Sequence, residues 1–397
     1  MALVTLATRL GTLASSWSIE ADHLLVQRSI QRGDVISLAP VTPDLPPPPS
    51  VLAALAEAGA SPVVHPPSPA MHLSLRAAMA AWYERRFKVS LSPNQHVLPL
   101  NGARDGLASI PTLVTNPGDV VLVPDPGYPL YAAAARFAGA VAVPIPLHAD
   151  SGFLPDMAAI PAAVADRARL LYLNYPNSPT GAIAPASFYH EVVAFAKRHN
   201  LVVCQDMSFA GVTYEGYRPL SFLEIPGALD VGVEIHSLSI AFNMPGYGIG
   251  VLLGNRQLVE AMGRVQAVLG APLPEPIQRA ARAAVEATPP DWFQQRDAIY
   301  RDRRDLVVRT LAKVGLVAEL PKATPCIWAA VPAGQAAEEY AAGLLKDCGV
   351  WVLPGTRFGT HGEGYIRVSL TVPDDRLQEA LGRIAARPVG SLPAPPA

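Results

Sequence analysis

Arg367 sits in the apolar stretch YIRVSL, and its planar guanidinium presents paired donors that match the two oxygens of a small carboxylate. An internal salt bridge is the competing role for it. Asp206 ends the run VVCQD, and a carboxylate buried there without a cationic partner tends to take up a proton. It is read either as an acid that moves that proton or as a structural carboxylate bonded to nearby backbone. Gly102, Ala103 and Arg104 open a helix-like stretch, where free backbone N–H groups favour an anion. Arg104 equally suits a helix-end surface. His65 and His236 titrate near neutrality, and each also reads as an ordinary structural histidine.

These residues need a framework. Short, continuously apolar runs at 120–123, 170–173 and 201–204 predict strands buried on both faces of a parallel sheet. Two more strands are expected at 233–238 and 249–253. Helical stretches at 73–87, 103–113, 131–137 and 186–198 alternate with them, which predicts an α/β sheet with crossover helices. Long helices follow at 256–269, 277–287 and 294–314. Strands at 327–331 and 365–370 then mix with helices at 335–346 and 375–386, as in a smaller α+β domain. The expected organisation is an N-terminal arm and part of the small domain over 1–48, a large domain over 49–290, and a small C-terminal α+β domain over 291–397. Residues 45–50 read as a proline-rich rigid connector, and the tail after 388 as loose.

Bulk properties narrow the function classes. The chain has 397 residues, half of them hydrophobic, and a net charge of −2, so it lacks the basic footprint of a nucleic-acid binder. Cys204, Cys326 and Cys348 are far apart and show no metal-ligand spacing, which points to buried thiols in a reducing compartment and to no metal. The apolar start is interrupted by Arg9 and lacks a basic opening, and no apolar run is long enough to span a bilayer. A cytoplasmic protein without membrane partners is expected. The lysines are Lys88, Lys197, Lys313, Lys322 and Lys346, so the centre of the chain offers none.

Motifs in a fixed order carry a resemblance. SLAPVTPDLPPPPSVLAAL (37–55), NGARDGL (101–107), NPGDVVLVPDPGYPLY (116–131), LNYPNSPTGA (173–182), VVCQDMSF (202–209), HSLSIAFNMPGYGIG (236–250), PKATPCIWAAVP (321–332) and PGTRFGTHGEGYIRVSL (354–370) cover nearly the whole chain. In this order and spacing the chain resembles the class I/II aminotransferases of fold type I. The resemblance implies a large domain with a mainly parallel central sheet flanked by helices, a smaller α+β domain, pyridoxal phosphate chemistry and a homodimer.

Read residue by residue, that resemblance is incomplete. The family pattern Ser-x-Ser-Lys is met by Ser237, Leu238 and Ser239, but Ile240 stands at the Schiff-base lysine and has neither nucleophile nor proton. Gly248 replaces a phosphate-clamping arginine, Ser178 an asparagine and Phe209 a tyrosine of the cofactor ring, His65 a tyrosine lent by the neighbouring subunit, and Val41 a glycine. Retained by the same comparison are Arg367 for a substrate α-carboxylate, Asp206 for the ring nitrogen, Tyr128 for ring stacking and Ser237 for a phosphate. Asn177, Ser178 and Tyr247 join Arg367 and Tyr128 on the expected substrate side, and Asp206, His65 and Tyr128 are the expected proton-moving set.

The reading that follows is an enzyme working without a cofactor. Ile240 excludes covalent pyridoxal phosphate, and the altered contacts disfavour a non-covalent one. The expected reaction is acid/base-assisted condensation, cyclisation, dehydration or isomerisation of a small carboxylate-bearing molecule in specialised metabolism. Two alternatives stand beside it: a non-catalytic homologue serving as dimer scaffold, partner subunit or sensor, and a transferase using non-covalent pyridoxal or pyridoxamine phosphate.

Overall fold

The computed structural model describes residues 4, 7–11, 35–61 and 69–387, with 69–71 described as backbone only. Strand β1 (Ile36–Ser37) precedes a run of strands that build one sheet: β2 (Val97–Leu100), β3 (Val120–Asp125), β4 (Val141–Pro146), β5 (Ala168–Asn174), β6 (Val202–Asp206), β7 (Gly232–Ser237) and β8 (Gly250–Gly254). Their order is β2-β8-β7-β6-β5-β3-β4. Strands β4, β3, β5, β6 and β7 run parallel, and β8 is antiparallel to both its neighbours. The mainly parallel α/β sheet read from the sequence is therefore the observed one.

Side chains alternate along these strands and both faces are covered. Val121, Val123, Leu170, Tyr172, Cys204 and Ile235 pack under helices Ala103–Val114 and Arg256–Leu269. Val120, Leu122, Leu171, Leu173 and Val203 face helices Pro69–Phe87, Ala186–His199 and Glu275–Ala287. Continuous apolar sequence in these strands follows from that double burial.

The rest of the chain adds β9 (Val317–Ala318), β10 (Cys326–Ala330), β11 (Val350–Trp351), β12 (Leu353–Pro354) and β13 (Tyr365–Ser369). Four of these form an antiparallel sheet, β12-β13-β10-β9, while β1 pairs in parallel with β11. Residues near the start of the described chain thus lie against its C-terminal sheet. The helices Pro290–Lys313, Ala337–Cys348 and Asp374–Ala385 cover it.

Some elements differ from expectation. The proline-rich connector is extended only as far as Pro48, because Pro49 opens helix Pro49–Ala60 at a position where its missing N–H costs nothing. Strands β2 and β4 were not expected. Each carries proline, which counts against a strand interior, and β4 is a largely exposed edge strand that tolerates Pro144 and Pro146 within an apolar run.

Candidate functional site

Parallel strands end together, so β3, β5, β6 and β7 deliver their following loops to one edge of the sheet, where open α/β sheets bind ligands. Asn174 and Asp206 are register partners there. The Asp206 carboxylate is buried. Tyr131 donates its hydroxyl to Oδ2 at 2.7 Å and the Ser208 N–H donates to Oδ1 at 2.8 Å. Asn174 Nδ2 holds the Asp206 carbonyl at 2.9 Å. Burial pushes the Asp206 carboxyl above the usual carboxylate range, partly offset by Ser208, Tyr131 and the charge of His236.

Tyr131 stacks on Tyr172 at 4.6 Å and meets Tyr128 edge-on at 5.6 Å, so the Tyr128 ring is set by an aromatic row. Burial raises the pKa of the Tyr128 hydroxyl, and the nearby Arg104 and Arg367 guanidinium groups temper that rise. Arg104 itself is exposed at the start of helix Ala103–Val114.

Gly102 caps that helix without a side-chain bond and has φ of +91°, a region that disfavours other residues. A Cβ on Gly102 would lie 3.6 Å from the Gly248 carbonyl carbon, so two glycine backbones face one another at the helix start. Ser237, at the end of β7, receives the Ile240 N–H on its hydroxyl at 3.2 Å. Ile240 is half-buried and its side chain packs against the C-terminal core with Ile36, Leu38, Val212 and Tyr214.

Arg367 comes from β13, opposite Trp328. It is buried, and its guanidinium lies over Phe358 at 4.7 Å. It donates to the Ala39 carbonyl at 2.7 Å and, at a long 3.5 Å, to the Ser178 hydroxyl, while Nε has no partner. Its charge is disfavoured by burial, with Cys326 and Tyr128 as the groups that counter this. Among the described residues no carboxylate forms an ion pair with Arg367. The salt-bridge role weighed for it is therefore absent from the described residues.

Other candidates fall elsewhere. The Asn177 amide is committed to its own turn, donating to the Asn174 carbonyl and accepting from Thr180. Tyr247 is exposed in a short 3-10 turn. His236 is buried beside Glu234 at 2.9 Å and packed by Trp82, Tyr83 and Phe87, which gives it the structural role. His65 lies outside the described residues. Burial raises the pKa of Cys204, Cys326 and Cys348. Among the described residues no cluster of three His, Cys, Asp or Glu side chains could hold a metal, and no helix is long and apolar enough to cross a membrane. Sequence reasoning missed Tyr131, Asn174, Phe358 and the Ala39 carbonyl. All four lie inside the motifs that carry the resemblance, so only their contacts were hidden.

Comparison with known proteins adds ancestry. The description "Aminotransferase class I and II" matches residues 33–384. An LL-diaminopimelate aminotransferase of Desulforudis audaxviator is 45% identical over 379 residues, covering 95% of this chain and 96% of the relative. One from Dehalococcoides mccartyi is 42% identical over 382 residues, covering 96% and 98%. Substrate-bound BacF from Bacillus subtilis superposes with a TM-score of 0.91 at 32% identity, over 98% of this chain and 100% of that one. A probable N-succinyldiaminopimelate aminotransferase from Thermus thermophilus gives a TM-score of 0.86 at 33% identity, over 92% and 98%.

These relatives overturn two expectations, pyridoxal-free chemistry and the absence of any cofactor. Proteins alike along nearly the whole chain are named as aminotransferases, whose chemistry uses pyridoxal phosphate. They also favour an enzyme over a non-catalytic scaffold. The physical reason lies in how little Ile240 removes. It takes away a covalent link and a base, and leaves the uncapped helix start with Gly248 facing Gly102, the Tyr128 ring and the buried Asp206 carboxyl. That set fits pyridoxal or pyridoxamine phosphate as a non-covalent guest, and Ile240 does not fit its covalent attachment.

Proposed function

Because this chain belongs to the class I and II aminotransferase family, we propose that it is an aminotransferase-type enzyme whose coenzyme is held without a covalent link. The substrate class is an amino acid or 2-oxo acid with a second carboxylate, in keeping with the diaminopimelate named for its relatives. The carrying observation is Arg367, a buried guanidinium with no carboxylate partner among the described residues. A charge left so is costly, and a ligand carboxylate would complete it in bidentate geometry.

When bound, pyridoxal or pyridoxamine phosphate supplies the carbonyl or amine that exchanges with substrate nitrogen, and a ring that withdraws electrons. The chain's own residues do the rest. Asp206 holds a proton or negative charge at the sheet edge, where a ring nitrogen would pair with it. Tyr128 forms the wall beside that ring and keeps its hydroxyl protonated next to Arg104. Backbone N–H groups at Gly102–Arg104 and the Ser237 hydroxyl receive phosphate oxygens. Arg104, exposed at the mouth, is placed to meet a second carboxylate. Ile240 moves no proton, so the base that the family draws from its lysine is not supplied at that position. The working unit is read as a homodimer, as the family resemblance implies.

Equilibrium dialysis with pyridoxamine phosphate, followed by calorimetric titration of the unreactive dicarboxylate maleate, tests this reading. Wild type should retain the coenzyme, and Arg367→Leu should keep it while weakening maleate at least roughly tenfold. Borohydride treatment after loading with pyridoxal phosphate should leave the wild-type mass unchanged, whereas Ile240→Lys should gain a reduced adduct. Failure of wild type to retain either coenzyme form would sink the proposal.

A further inference from the structure

Outside the cleft, the end of β3 is fastened to the loop that precedes β13. Asp125 closes β3 three residues before Tyr128, and its side chain is 7% exposed. Three donors from that loop converge on it. The Thr360 hydroxyl reaches Oδ2 at 2.8 Å, His361 Nδ1 reaches the same oxygen at 2.9 Å, and the His361 backbone N–H reaches Oδ1 at 3.0 Å. A fourth bond runs alongside, from the Gly127 N–H to the Phe358 carbonyl at 2.8 Å. The approach is so close that a Cβ on Gly359 would stand 2.0 Å from Asp125 Oδ1, and Gly359 also has φ of +132°. The His148 ring lies edge-on to His361 at 5.3 Å on the outer side.

Both ends of this fastening point at the cleft. On one side the chain continues from Asp125 through Gly127 to Tyr128. On the other, Phe358 supports the Arg367 guanidinium and is itself met edge-on by Trp328 at 6.0 Å. Arg367 has few direct restraints, one good hydrogen bond to Ala39 and one long bond to Ser178. Its position therefore depends on the ring beneath it, and that ring depends on the clasp.

We propose that Asp125 is a positioning residue, whose carboxylate clasps residues 358–361 to the end of β3 and so sets Phe358 under Arg367 opposite Tyr128. The functional half of this rests on the carboxylate-binding reading of Arg367. The clasp itself rests only on the contacts above.

The test pairs amide hydrogen exchange over residues 355–369 with maleate titration, on wild type, Asp125→Ala, Asp125→Asn and Thr360→Ser. Loss of three bonds to a buried carboxylate should speed exchange at 355–362 in Asp125→Ala while β5 and β6 keep their protection. Maleate should weaken by roughly tenfold in the same variant. Thr360→Ser keeps the hydroxyl and should stay within about twofold of wild type in both readouts. Unchanged exchange at 355–362 overturns the proposal, as does faster exchange with unchanged maleate affinity. If Asp125→Ala does not fold, Asp125→Asn replaces it, with the same two directions expected and the same two overturning results. If wild type itself does not bind maleate, the carboxylate reading of Arg367 fails. The clasp is then decided by exchange alone: acceleration at 355–362 with β5 and β6 unchanged supports it, and its absence overturns it.

Discussion

At the scale of single residues, a buried carboxyl behaves differently according to what faces it. Burial raises the Asp206 pKa, and the bonds from Ser208 and Tyr131 only partly offset this. The folded value therefore lies above the unfolded one. Over that window the folded state holds more protons, so the contribution of Asp206 is complete below the unfolded pKa and is lost as pH rises through the folded one. Asp206→Asn is neutral throughout and should gain on wild type as pH climbs through that window. Thermal midpoints measured against pH would show a widening difference in favour of the variant, and a flat difference would contradict the assigned shift. Pyridoxamine phosphate should also bind the variant less tightly, since the ring nitrogen loses its acid. Asp206 was legible in the sequence because VVCQD is an unbroken strand ending in a carboxylate. Its donors were not, since Tyr131 lies 75 residues away and nothing local announces the contact.

Elements show where sequence signals come from and where they fail. Strands β5, β6 and β7 were legible because burial on both faces demands unbroken apolar sequence. Strand β4 escaped because Pro144 and Pro146 interrupt its apolar run, which an exposed edge tolerates and a strand interior does not. The start of helix Ala103–Val114 was legible at Gly102–Ala103, but its fit against Gly248 was not, since the two glycines approach through the fold. Gly102→Ala puts a side chain at φ of +91° and within 3.6 Å of Gly248. It should destabilise the protein by roughly 1–3 kcal/mol, the usual cost of a residue held in a sparsely populated backbone region. Urea denaturation measures that loss. Equilibrium dialysis should show weaker retention of pyridoxamine phosphate, because the added methyl stands beside the backbone N–H groups proposed to hold the phosphate. An unchanged denaturation midpoint would mean that this backbone relaxes freely and is no rigid cradle.

For the whole molecule, the decisive fact is that the cleft is built from both ends of the chain. Ala39 accepts from Arg367 across 328 residues, and Thr371 donates to the Pro40 carbonyl. The same segment reaches Asp44, which pairs with Arg303 at 2.9 Å and accepts from Tyr300 at 3.2 Å. Arg303 and Asp44 side chains are only 6% and 13% exposed, so this pair is held largely out of water. No sequence motif pointed to it, because its members are ordinary charged residues brought together by β1 lying on β11. Removing one partner of such a pair strands the other, which costs more than the pair gains. Arg303 would keep Asp374, itself mostly exposed, and the Leu370 carbonyl. Asp44→Ala should therefore lose about 3 kcal/mol, toward the lower limit for breaking a buried pair. Chemical denaturation gives that number. The more telling readout is maleate affinity, measured where the variant is still fully folded. If the segment of residues 35–48 acts as one strut from Asp44 to Ala39, loosening its far end should weaken maleate at Arg367 several-fold. A purely local ion pair would lower stability and leave that affinity where it was.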